Sequence, residues 1–259
     1  MEASSYTPFG MVSAQQEFQR INDRFFEKLP ALNGLMAKVL NRTFSTTNLT
    51  ERFLATMGHI AHEEFFEILT LSGNGLGIGA MKLLRGFYEL VVTMADFVKY
   101  PADAEPFLDF HYINQHKAIH HAKNRGQLAM FELSDEQIQQ IEANWQSVKS
   151  KFNGSWKAGN LSDMADDVDP NLSLLYTSCF LLPTFLAHTT AASVMSRMKI
   201  NPETDRFGYN PDAQWKVARA ALIGAHSLLL QSFGIVNDYF KLGLDSDIHQ
   251  CASDFQFAW

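Results

Sequence analysis

Cysteine is nearly missing from this chain: Cys179 and Cys251 are the two among 259 residues. They stand far apart, and Cys179 sits in the apolar run LLYTSCFLL, where a buried thiol is the ordinary expectation, so no disulfide framework is expected. Positive charge is also short. Lys and Arg number 21 against 28 Asp and Glu, a net charge of −7, and the cations are scattered singly. Without a basic stripe, bulk nucleic-acid binding is disfavoured. No uninterrupted apolar run reaches the roughly 18 residues of a membrane span, and the opening MEASSYTPFGM has neither a basic n-region nor an apolar h-region. The expected location is therefore the cytoplasm, with no membrane contact. Period-two alternation bounded by turn residues is missing too, which argues against a sheet.

What is present is a hydrophobic share of 46% with 21 Phe and 19% charged residues, the composition of a well-packed globular protein. Apolar residues recur at three and four almost everywhere. The reading is all-α: a single domain over residues 1–259, a bundle of about seven long helices with no sheet. Helices are expected over residues 14–41 with a break at Pro30, 48–71, from the glycines near 75 to 99, and 102–125. Further helices are expected over 134–151, opened by the capping box Ser134-Asp-Glu-Gln137, over 170–198, kinked at Pro183, and from Asn210-Pro211 to about 243. Residues 1–12 are expected to be flexible. Residues 244–259 are read as an extended tail presenting Phe255, Phe257 and Trp259, a strap for a groove on the same chain or on a second copy in a homodimer.

The stretch Gly75-Leu-Gly77-Ile-Gly79-Ala80 fits the dinucleotide fingerprint G-x-G-x-x-G/A, with Asp96 about 20 residues on. A Rossmann unit would need a strand at VVTMAD. Instead Leu76, Ala80, Leu83, Phe87, Leu90, Met94 and Phe97 form one unbroken helical stripe across it, and no later β-α alternation supplies a sheet. The glycines are read as a tight helix-to-helix turn that permits close packing.

Several side chains invite chemistry. Arg85 and Glu89 lie one turn apart on a helix that is apolar on most sides, so an inward pair competes with a solvated one. His188 shares heptad spacing with Leu174, Leu181 and Met195 and is expected to point inward, where a hydrogen-bonded core histidine is the commoner outcome than a catalyst. His59 with Glu63, and His116 with His120, have the i,i+4 spacing of paired metal ligands, and a metal-binding bundle is one alternative. The absence of both Glu-x-x-His and His-Glu-x-x-His argues against di-iron and zinc-protease sites, and no cofactor is expected. Arg-x6-His occurs at Arg52 to His59 and at Arg219 to His226.

The run AMKLLRGFYE (residues 80–89), then Tyr100-Pro101-Ala-Asp-Ala, WKAGNLSDMA from Trp156, Tyr176 and Thr184-x-x-x-His188 resembles the all-helical bacterial family of unknown function numbered five-six-seven-seven. The resemblance spans residues 80–197. It implies that Arg85, Glu89, Trp156 and His188 gather around one polar pocket, and it implies no activity. The expected function is a ligand-binding or regulatory module for a small anionic ligand. If chemistry occurs, Arg85 holds the anion, His188 is the acid–base and Glu89 orients. The other alternative rests on Arg219 and His226, whose spacing is that of the Arg-x4-6-His motif in the higher-eukaryote and prokaryote nucleotide-binding ribonucleases, metal-independent enzymes of toxin and phage-defence systems.

Overall fold

The computed structural model describes residues 6–7, 10–42, 47–188, 190–201, 203–204, 206–209 and 214–256. The fold is all-α, assembled from more and shorter helices than the seven expected. A two-stranded hairpin pairs β1 (Tyr6–Thr7) with β2 (Gly10–Met11). It leads into α1 (Val12–Ile21) and α2 (Asp23–Leu40). The break falls at Asn22, whose Nδ2 donates to the Phe18 carbonyl at 2.9 Å. The side chain competes with the helical ladder there, and Pro30 is accommodated inside α2.

Three long helices form the centre: α3 (Leu49–Gly73), α4 (Gly77–Lys99) and, later in the chain, α11 (Trp215–Phe240). Each packs on the other two. An Asn48–Glu51 capping box starts α3. The second half of α4 is buried from Val91 to Phe97, so VVTMAD continues the helix as its stripe predicted. The glycines between α3 and α4 serve packing. Gly75 takes φ +71°, and a Cβ on Gly77 would stand 2.6 Å from the Ala218 backbone nitrogen, so only glycine lets α4 meet the start of α11. Gln214 then satisfies the exposed amide of Ile78 through its side-chain oxygen at 2.9 Å, and Ser72 donates to the Ala218 carbonyl. No phosphate is needed to pair these groups.

After a short 3-10 turn at Pro101–Asp103 come α5 (Ala104–Asn124), a second such turn at Leu128–Phe131, α6 (Asp135–Val148), opened by the expected Ser134 capping box, and α7 (Leu161–Val168). The helix expected over 170–198 is broken up. Asp169 caps α8 (Pro170–Tyr176), a π-helical turn covers Thr177–Leu181, and α9 (Leu182–Ala187) follows. The widened turn sits just before Pro183, which lacks an amide and needs room for its ring. Thr190 then accepts from the Ser193 amide at 3.1 Å and donates to the Phe185 carbonyl at 2.6 Å. It thereby closes α9 and opens the short α10 (Ala191–Met195). A hairpin of β3 (Met198–Asn201) and β4 (Arg206–Tyr209) pairs Met198 with Tyr209. The two hairpins correct the expectation of no strands at all. The Asn210-Pro211 start signal lies outside the described residues.

The expected extended tail is corrected as well. Residues from Asp245 to Gln256 form α12, which packs on α2 and α11. Leu244, Ile248, Cys251 and Phe255 recur at four, three and four, and the acidic first turn of Asp245 and Asp247 suits a helix N-terminus. Phe255 is 1% exposed and lies against Phe25 and His226 of its own chain. Phe257 and Trp259 lie outside the described residues. Both cysteines are buried and free. Among the described residues two stretches, Pro170–Ala187 and Trp215–Phe240, are long and apolar enough on average to cross a membrane, although polar residues such as Asn171 and Lys216 interrupt each. The second is largely buried in the core.

Candidate functional site

One row along α4 carries Ile78, Lys82, Arg85 with Gly86, Glu89 and Thr93, spaced at three and four residues so that they stack on one face. Two cavities open beside that row. The first, about 420 Å3, is bordered by Ile78 and Lys82 of α4, by Leu186 and His188 at the end of α9, by Arg197 after α10 and by Phe207 of the hairpin. No carboxylate is among its described lining residues, and neither Lys82 nor Arg197 forms an ion pair among the described residues. It is a local concentration of positive charge on a chain of net charge −7.

The second cavity, about 410 Å3, lies farther along α4 and has the opposite character. Glu64 of α3 and Glu89 of α4 face it, with Phe107, Trp156 and Phe180 among its walls. Trp156 is fixed edge-on against Phe107 and Phe97. Its loop is held by the neighbouring Lys157, which reaches back to Asp96, fully buried, and to Asp103 at 2.7 Å. Burial pushes the Asp96 carboxyl up, and Lys157 partly reverses this.

Arg85 stands between the two cavities. Its Nη2 pairs with Glu89 Oε1 at 3.1 Å, its Nη1 lies 3.5 Å from His188 Nε2, and its guanidinium carbon sits 5.1 Å from the Phe180 ring centroid. Because a guanidinium only donates, His188 Nε2 is the acceptor in this contact. The four residues expected to gather do not all line one space, and His188, expected to point inward, is exposed. Arg85, Glu89 and His188 form one chain of contacts, but Glu89 and Trp156 line one cavity and His188 the other. Arg85 reaches a lining residue of each cavity, Glu89 and His188, and lies against Phe180, which the π-turn carries and which lines the second cavity. Lys82, Arg197, Glu64 and Lys157 were not singled out in the sequence. Lys82 could have been, since it precedes Arg85 by three residues and Glu89 by seven on the same helical row.

The remaining candidates lie elsewhere. His226 is 4% exposed among Phe25 and Phe255, and burial pushes its pKa down to about 4. Arg219 lies two turns earlier on α11, about 10.5 Å along the axis. A neutral imidazole enclosed by aromatic rings is poorly placed to transfer protons on a polynucleotide. His59 and Glu63 are both exposed on α3. His116 bonds Glu142 at 3.1 Å and stacks on Trp145, joining α5 to α6, while His120 bonds Asn124 within α5. No group of three metal-ligating side chains occurs among the described residues.

Comparison with known proteins matches residues 60–206 to the family described as "Family of unknown function (DUF5677)". The match takes in the whole α4 row and most of both cavity linings. No curated protein and no solved structure matches.

Proposed function

The chain belongs to the DUF5677 family, and we propose that it acts as a ligand-binding or regulatory module that takes a small organic anion into the cavity bordered by Lys82, His188 and Arg197. The observation that carries this reading is that two cations without carboxylate partners among the described residues and one histidine meet in one concavity on an acidic protein. Apolar walls from Ile78, Leu186 and Phe207 favour an anion with a hydrocarbon or aromatic body, since an inorganic ion would leave that surface wet. Arg85 contacts His188 through Nε2, which leaves the ring's Nδ1 outside that contact.

Calorimetric titration with phenyl phosphate and benzoate, against neutral benzamide, tests the reading. The expected result is binding of at least one anion in preference to benzamide, weakened about tenfold by Arg197→Gln and by Lys82→Gln. Equal binding of all three compounds, or anion affinity unchanged by both substitutions, would overturn it.

A further inference from the structure

The second cavity has the opposite chemistry. We propose that the cavity lined by Glu64, Glu89, Phe107, Trp156 and Phe180 is a separate binding site for a small organic cation, an alkyl- or arylammonium. The inference does not depend on the anion site, because it rests on different residues and a different charge.

The first support is charge balance. Glu64 and Glu89 bring two carboxylates to the walls, and no Lys, Arg or His is among the described lining residues. Arg85 answers one of them through Glu89 Oε1. Lys157, the neighbour of Trp156, is committed to Asp96 and Asp103. One carboxylate is therefore left over, and Glu63 and Glu67 on the same helix add to the negative field.

A second support is an unmet acceptor. Glu64 Oε2 is buried and has no hydrogen-bond partner among the described residues. Burial, followed by the charges of Glu67 and Glu63, pushes that carboxyl up. An ammonium group beside it would supply both the missing donor and the missing positive charge, whereas a neutral apolar guest would leave the oxygen stranded.

Third, the walls are aromatic. Trp156, Phe107 and Phe180 offer ring surfaces to the space, and Phe180 already carries the Arg85 guanidinium on one face. Aromatic faces attract desolvated cations, and carboxylate with aromatic walls is a recognition pattern for organic ammonium. A divalent metal is a poor occupant. Such ions need about six oxygen ligands, and most of this lining is carbon.

The test uses the full chain, with benzylammonium, tetramethylammonium and putrescine as cationic probes and benzyl alcohol as the neutral isostere of the first. At least one cation is expected to bind, with benzylammonium preferred over benzyl alcohol about tenfold or more. Glu64→Gln, isosteric and free of the buried charge, should weaken cation binding about tenfold while leaving the circular-dichroism spectrum unchanged. Trp156→Phe keeps a ring in place and should weaken it less. Failure of all three cations to bind, equal binding of benzylammonium and benzyl alcohol, or affinity unaltered in Glu64→Gln would each overturn the proposal. Because phenyl phosphate and benzoate are titrated separately, loss of one site is distinguishable from loss of the other.

Discussion

Arg85 Nη1 lies 3.5 Å from His188 Nε2, joining the middle of α4 to the residue that follows α9 across 103 positions of sequence. The same guanidinium holds Glu89 one turn away on α4. A single side chain therefore touches a lining residue of the basic cavity and one of the acidic cavity. The stability cost of removing it follows from its exposure. The Arg85 and Glu89 side chains are 32% and 45% exposed, so the pair is screened by water. Arg85→Leu should lower stability by about 1 kcal/mol or less, read from the urea midpoint. A loss of several kcal/mol would mean that the pair is desolvated in solution.

Lys157 should matter far more. Asp96 is 0% exposed and depends on Lys157 for its charge partner. Lys157→Met strands a buried carboxylate and should cost about 3 kcal/mol, and adding Asp96→Asn to that variant should restore most of the loss. Denaturant unfolding of the two variants checks this. A lone Lys157→Met with the parent midpoint would contradict the anchoring role assigned to the Trp156 loop.

The buried His226 gives the protein an acid-sensitive term. Its pKa is pushed down from 6.5 to about 4 by burial. Below pH 6.5 the unfolded chain takes up a proton that the folded chain refuses, so stability falls between about pH 6.5 and 4 and this contribution levels off below. The expected measurement is a melting temperature that declines through this window in the parent and declines less steeply in His226→Leu. Identical pH slopes for the two proteins would remove the assignment.

Phe255 docks α12 onto its own chain, between Phe25 at 5.3 Å and His226 at 4.2 Å. Phe255→Ala should therefore lower stability by about 3 kcal/mol, seen as a drop in the urea midpoint. An unchanged midpoint would show that α12 is not held in this groove.

The sequence by itself determined the helical class, because periods of three and four persist along α3, α4 and α11 wherever one face is buried. It also determined that the glycines before α4 were a packing device, since the stripe through VVTMAD left no strand to complete a dinucleotide site. The local caps at Ser134 and Asp169 were legible because they are written within a few adjacent residues. The helical spacing of Leu244, Ile248, Cys251 and Phe255 was legible as well, but the alternation of Phe255, Phe257 and Trp259 pointed to an extended tail. Tertiary structure decided everything that depended on distant partners. The turn widened before Pro183 packs on α4 and α11, partners far away in the sequence. The positions of Arg197 beside Lys82 and of Glu64 beside Glu89 turned on how separate helices fold back together. Arg85, Glu89 and His188 could be named from helical spacing, and Trp156 from the family resemblance. Their division between two cavities could not, because it is set by side chains that meet in space and carry no signature of adjacency along the chain.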